Sequence, residues 1–154
     1  MSEERKLILL AGADRRAGFQ TLDMKGSHDF IATVPPLPEA VKAISWDRIE
    51  LIHGITQFYP WDAEVLVREI FDALRSGGTA IFEQPNLIEC LRSGAVEWLY
   101  GDPSLKEPEH MVKWAYTGIS LRSLMYKVGF KNVVIGRAQY HVPLRDFRLT
   151  AVKS

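Results

Sequence analysis

Three apolar or mixed runs in this sequence close on groups that can meet a ligand. Leu7 to Ala11 ends on Gly12, Gln20 to Met24 carries Asp23 at its end, and Asp47 to Ile52 ends on His53-Gly54. In open α/β sheets ligands bind outside the C-terminal ends of the strands, so a bare glycine turn, a carboxylate and an imidazole placed there are candidates for binding or acid–base work. Each has a plain reading too: a glycine that only ends a strand, an aspartate capping a surface turn, a histidine held by ordinary hydrogen bonds. His110 with Glu107 and Glu109 can act as a base or form part of a metal site, or can be solvated loop charge, the favoured reading. The four histidines show no metal-ligand spacing, so no metal site is expected. Phe58, Tyr59, Trp61, Trp98, Tyr100, Trp114 and Tyr116 can line an acceptor pocket or pack in a core. Arg15 and Arg16 beside Asp14 read as a solvated turn.

With 154 residues the chain is of one-domain size, and a single domain over 1–154 is expected. Lys plus Arg and Asp plus Glu number 19 each, so the molecule as a whole has no electrostatic pull towards nucleic acid or an anionic membrane. Cys90 is the only cysteine, which excludes an internal disulfide and a multi-cysteine zinc site and reads as a small core residue. The run Leu7 to Ala11 is far too short for a membrane span or signal core, and a cytoplasmic location is the expectation.

The elements that position these groups follow from periodicity. Leu7 to Ala11 is a strand buried on both faces, Gln20 to Met24 and Asp29 to Val34 are further strands, and Asp47 to Ile52 is the next. Only Ala13 to Phe19 and Lys25 to His28 join the first three, so either their crossovers shrink to a turn of helix or one pair is antiparallel. A short helix is expected over Glu39 to Ile44, after Pro35-Pro36-Leu37-Pro38. A longer one, capped by Asp62 and stopped by Gly77-Gly78, presents Leu66, Val67, Ile70, Phe71 and Leu74 on one face. Thr79 to Glu83 returns as a strand ended by Pro85, Asn86 to Leu99 is a broken helix, and Gly101 to Glu109 is a loop. A last helix starts at Thr117 or Ser120 and ends at Gly129, before two strands, Asn132 to Arg137 and Phe147 to Val152, with no helix between them. Strands alternating with helices argue for an open α/β sheet with an antiparallel edge.

In order and spacing, these residues resemble the short class I S-adenosylmethionine (SAM) dependent methyltransferases with a Rossmann-like fold. The resemblance runs through Lys6 to Gly12, Asp14-Arg15-Arg16, Gly18-Phe19 and Leu22-Asp23; through Asp47-Arg48-Ile49 and His53 to Phe58; through Leu74 to Gly78 and Gln84-Pro85-Asn86; and through Trp98 to Gly101, His110, Tyr116-Thr117, Ser120-Leu121 and Gly129-Phe130. It implies a mostly parallel sheet in the order 3-2-1-4-5-7-6 with an antiparallel C-terminal hairpin and reduced N-terminal helices. It further implies SAM as cofactor, S-adenosylhomocysteine (SAH) as product, and a small-molecule or sugar acceptor. By the same resemblance Ala11, Gly12, Asp23, Thr33 and His53 are the cofactor-binding candidates. Gly12 leaves room for the methionine part, Asp23 takes the ribose hydroxyls, and Thr33 lies near the adenine.

The sequence departs from the family pattern at Leu10, where a glycine is expected, at Thr33, where an acid is expected, and at Thr56-Gln57 in place of a Glu-His pair. Those departures keep a second reading open, a fold retained as a binding or assembly module. A dinucleotide enzyme is disfavoured by the lack of a G-x-G-x-x-G turn after strand one. With no full helices over strands one to three, an apolar face holding Ile8, Leu10, Leu22, Phe30 and Ile31 is expected to need cover. Candidates are the Asn86 to Trp114 segment, the N-terminal residues or a second copy, and a homodimer is the favoured expectation.

Overall fold

The computed structural model describes residues 3–154. Strands β1 (Lys6–Leu9), β2 (Phe19–Asp23), β3 (Phe30–Ile31), β4 (Trp46–Ile52), β5 (Leu74–Pro85), β6 (Lys131–Arg137) and β7 (Asp146–Val152) form one seven-stranded sheet, ordered β3-β2-β1-β4-β5-β7-β6. The first five are parallel, and β7 runs antiparallel to both its neighbours. From β1 the chain proceeds to β2 and β3 on one side, and from β4 to β5 on the other. Strand order therefore reverses between β1 and β4, which opens a crevice at their C-terminal ends.

All three N-terminal strands are parallel, and the connections 10–18 and 24–29 contain no helix at all. The strands are short enough to allow it. A four-residue β1 is only about 13 Å long, and nine connecting residues reach twice that when extended. The strand expected over Asp29 to Val34 shrinks to Phe30–Ile31, where the Ala32 N–H still bonds the Asp23 carbonyl at 3.0 Å before the proline run turns the chain away.

Helices α1 (Glu39–Lys42), α2 (Pro60–Ala73) and α5 (Gly118–Val128) cover one sheet face, whereas α3 (Leu87–Ser93) and α4 (Val96–Tyr100) lie in the segment between β5 and α5. Helix α2 starts two residues before Asp62, with Pro60 at its first position, where a missing N–H costs nothing. Asp62 is in its first turn rather than its cap. The helix ends at Ala73, four residues before Gly77-Gly78, because Leu74 is already extended and pairs with Trp46. Residues 75–78 then bulge out of β5 before pairing resumes at Thr79. Gly78 is required there, since a Cβ would lie 2.8 Å from the Arg75 carbonyl oxygen and 3.0 Å from that of Trp46. Thr117 and Ser120, the two candidate starts of α5, act together. The Thr117 hydroxyl accepts the Ser120 N–H at 3.0 Å and the Ser120 hydroxyl accepts the Thr117 N–H at 2.9 Å, a reciprocal cap.

The core lies between the sheet and α1, α2 and α5. Leu7, Leu9, Leu22, Ile49, Leu51, Phe82 and Leu149 meet Val41, Leu66, Ile70, Leu121 and Met125 there. The opposite face differs from the apolar surface expected of it. Leu22 belongs to the core on the helix side, Leu10 and Phe30 pack against that core, and Ile8 is only 1% exposed beside its register partner Glu50, so of the five residues expected there only Ile31 is exposed. Glu50 and Glu83 are both fully buried. Arg16 and Arg48 donate to Glu50, each at 2.6 Å. Glu83 takes Arg148 at 3.0 Å and the N–H groups of Gln139 and Tyr140 at 3.0 and 2.7 Å. The Arg16 guanidinium sits between the rings of Phe19 and Tyr140, 4.5 and 4.4 Å from their centroids. Ion pairs and the chain around Tyr140 thus occupy the face that full crossover helices would cover. The segment 86–114 is not used there, and its residues wall the C-terminal edge of the sheet instead.

Candidate functional site

Gly12, Asp23, Thr33 and His53 all follow or end parallel strands, so they lie along the same C-terminal edge. The Gly12 N–H donates to Asp23 Oδ2 at 2.7 Å, and the Met24 N–H donates to Oδ1 at 2.6 Å. Two backbone donors thereby fix the carboxylate while lone pairs on both oxygens remain open to a ligand. Gly12 has φ +55, and a Cβ there would meet nothing within 4 Å, so the backbone borders open space. Ala11 is buried, its N–H bonded to the Leu22 carbonyl at 3.2 Å, and Leu10 and Gly12 on either side line the crevice in its place. Leu10 itself adopts φ +52, a conformation natural to the glycine expected there and strained for leucine.

Three cavities adjoin along this edge, with Gln57 as a common wall. One of about 300 Å³ is bounded by Leu10, Gly12, Arg15, Asp23 and Met24; a second of about 300 Å³ by Met24, Thr33, Val34, Phe58 and Lys113. A third of about 370 Å³ is bounded by His53, Thr56, Trp98, Leu105, His110 and Arg145. Thr33 and Asp23 therefore border neighbouring cavities, and His53 faces the third. Of the aromatic group, Phe58 and Trp98 line cavities and Tyr116 is buried. Tyr59 and Trp61 stack on each other on the surface, with centroids 5.0 Å apart, and Tyr100 and Trp114 are exposed.

Several residues in the site carry no sequence signal of their own. Arg15, read as a solvated side chain, folds back across its own turn, donating to the carbonyls of Gly12, Asp14 and Ser27 at 3.0, 2.8 and 2.7 Å. Lys25 bonds Glu109 at 3.1 Å and joins the turn after β2 to the 103–110 segment. The hydrogen bond that it donates to Glu109 holds the Lys25 ammonium above its usual pKa. His110 borders two of the cavities and contacts Glu107 at 2.7 Å. Cys90 is buried, and burial pushes its thiol pKa up, which suits packing rather than nucleophilic attack.

His53 has φ +57, and its Nε2 lies 2.6 Å from Oδ2 of the fully buried Asp146 carboxylate. Arg145 bonds both oxygens of that carboxylate, at 2.5 and 3.1 Å. Burial alone would raise the pKa of Asp146, but the bonds from His53 and Arg145 outweigh it and hold the group below the usual carboxylate range. The His141 ring stacks on His53 with centroids 3.9 Å apart, and burial together with the neighbouring imidazole pushes its pKa down. The fold thus assembles an imidazole pair and a carboxylate where linear spacing announces no ligand set.

A seven-stranded sheet of this order, with a reversed seventh strand and a crevice between β1 and β4, is the class I SAM-dependent methyltransferase fold. The chain is similar to a SAM-dependent methyltransferase of Thermotoga maritima, at 17% identity and TM-score 0.73, over all of this chain and 84% of that one. One from Archaeoglobus fulgidus shares 13% identity at TM-score 0.67 over 97% and 86% of the two chains. Human N-acetylserotonin methyltransferase, crystallised with SAM, shares 13% at TM-score 0.57, over 98% of this chain and 41% of that one. No protein-family model matches the sequence, and no curated protein sequence matches it. Likeness at these identities is a likeness of fold. Among the described residues, no helix is long and apolar enough to cross a membrane.

Proposed function

We propose that the chain binds SAM and transfers its methyl group to a small-molecule or sugar acceptor. The observation that carries this is the Asp23 carboxylate fixed by the Gly12 N–H at the strand-order reversal, beside backbone that borders open space. When bound, SAM supplies an electrophilic methyl on a sulfonium leaving group, so the protein contributes chiefly alignment and exclusion of water. Asp23 accepts both ribose hydroxyls and Gly12 leaves room for the methionine part. Thr33, Val34 and Phe58 border the space for the adenine. The acceptor enters the third cavity, where Trp98 and Leu105 supply apolar wall and His53 with Arg145 supply polar contact.

The test is a thermal shift and calorimetric titration of the full chain with SAM and SAH. A ligand at 100 times its dissociation constant adds about 2.7 kcal/mol, a rise of roughly 5–11 °C for a domain of this size. No shift with either ligand at millimolar concentration overturns the reading and favours a fold kept as a binding module, to which the departures at Leu10, Thr33, Thr56 and Gln57 would belong. The same reading includes a cytoplasmic location, consistent with the free buried Cys90, and a homodimer, for which near-zero net charge offers no repulsion. A monomer in light scattering at tens of micromolar, about where an ordinary dimer persists, removes the dimer.

A further inference from the structure

His53 follows β4 and His141 and Asp146 lie about 90 residues further on, yet their ligand-capable atoms all lie within 4.8 Å of one another. Two imidazoles and a carboxylate form a donor set suited to zinc and similar borderline divalent ions, and three protein ligands leave a coordination position open. The surroundings are those of a prepared site. Asp146 is fully buried and held on both oxygens by Arg145, the kind of supporting bond that orients a ligating carboxylate. His53 is kept in a strained left-handed conformation by its own N–H, which bonds the Glu83 carbonyl at 2.7 Å. That strain carries its ring to the wall of the third cavity. His141 is exposed, so an ion can reach the group from solvent.

We propose that His53, His141 and Asp146 form a binding site for a divalent transition-metal ion, Zn²⁺ first among them, at the edge of the third cavity. The His53–Asp146 hydrogen bond is the metal-free arrangement; on ion entry its proton leaves Nε2 by way of solvent, the two freed atoms form coordinate bonds, and the bond from Arg145 Nε to Oδ1 is kept. Of the three ligands His53 lines the third cavity, so an oxygen or nitrogen of a small ligand held there is the group in place to complete the ion's coordination. That this ligand is the methyl acceptor rests on the function proposed above; metal binding does not.

The experiment is equilibrium dialysis of the tag-free chain against Zn²⁺, with the visible absorption of the Co²⁺ form as a report on ligand geometry. The expected result is one ion per chain, and a fall in affinity of at least about tenfold in both His141→Ala and His53→Asn, the scale seen when even a supporting partner of a metal ligand is lost. Asparagine tolerates the positive φ at position 53, and His141 is exposed, so neither variant should unfold; a urea midpoint checks this. No uptake by the parent chain overturns the site. Uptake that both variants retain also overturns it, and points to the exposed His110–Glu107 pair. SAM binding without metal uptake removes the metal site and leaves the cofactor reading standing, and metal uptake without SAM binding does the reverse.

Discussion

Replacing Asp23 with alanine separates what this carboxylate does for the fold from what it does for a cofactor. Its oxygens accept the N–H groups of Gly12 and Met24, at 2.7 and 2.6 Å. Both donors lie where water can reach them once the side chain is gone, so the loss is that of ordinary hydrogen bonds rather than of buried, orphaned groups. The stability cost is about 1–2 kcal/mol, a fall in Tm of roughly 2–8 °C. The cofactor loses more. Two hydroxyl bonds to a charged acceptor contribute about 1.5–3 kcal/mol each, so SAM affinity should fall by roughly 100-fold or more. Titration calorimetry with SAM measures it. Asp29→Ala is the matched control, because Asp29 also accepts a backbone N–H, that of Thr21 at 2.8 Å, but borders no part of the three cavities. It should leave SAM affinity within about threefold of the parent. An Asp23→Ala chain that binds SAM as well as the Asp29→Ala chain refutes the assignment of Asp23 as ribose anchor.

Leu10→Gly should relieve the strain of φ +52, about 1 kcal/mol, and widen the crevice, so SAM should bind more tightly; weaker binding in calorimetry would show that the leucine side chain is part of the site. Glu83→Ala strands Arg148 and frees the N–H groups of Gln139 and Tyr140, and should cost about 3–5 kcal/mol in urea unfolding; a loss below about 1 kcal/mol would mean that the ionic face contributes little. The buried Tyr116 hydroxyl has no hydrogen-bond partner among the described residues, and burial raises its pKa to about 12. Because the folded pKa lies above the unfolded value, its contribution is present below about pH 10 and is lost as pH rises towards 12. Tyr116→Phe should therefore be at least as stable as the parent at neutral pH and flatten that alkaline decline, and an unchanged decline would assign it to other groups.

The sheet was legible because its strands are short apolar runs closed by turn residues, and because the two last strands have no helix between them. Asp23 and Gly12 could be placed at one edge for the same reason. The parallel pairing of β1, β2 and β3 without helices was open on spacing alone, since only the shortness of the strands makes such connections feasible. The ionic face was present in Arg48, Glu50 and Glu83, but the expectation of a bare patch rested on Ile8, Leu10, Leu22, Phe30 and Ile31, whose apolar character does not show that charged side chains from other strands lie over the same face. Asp62 has a capping side chain, yet Pro60 fits the first helical position better and set the start two residues earlier. The grouping of His53 with Asp146, 93 residues apart, had no local signal, because it depends on β7 returning between β5 and β6.

Arg15 and Arg16 are consecutive, yet they bond different parts of the protein. Arg15 bonds the turn that borders the crevice, and Arg16 reaches under the sheet to the buried Glu50. Here one peptide unit separates them, so a substitution in the ionic layer shifts the backbone that receives the ligand. Drift on the back of the sheet is thereby exposed to selection through binding at its edge, and the space saved by omitting a helix removes the freedom of the two parts to evolve apart.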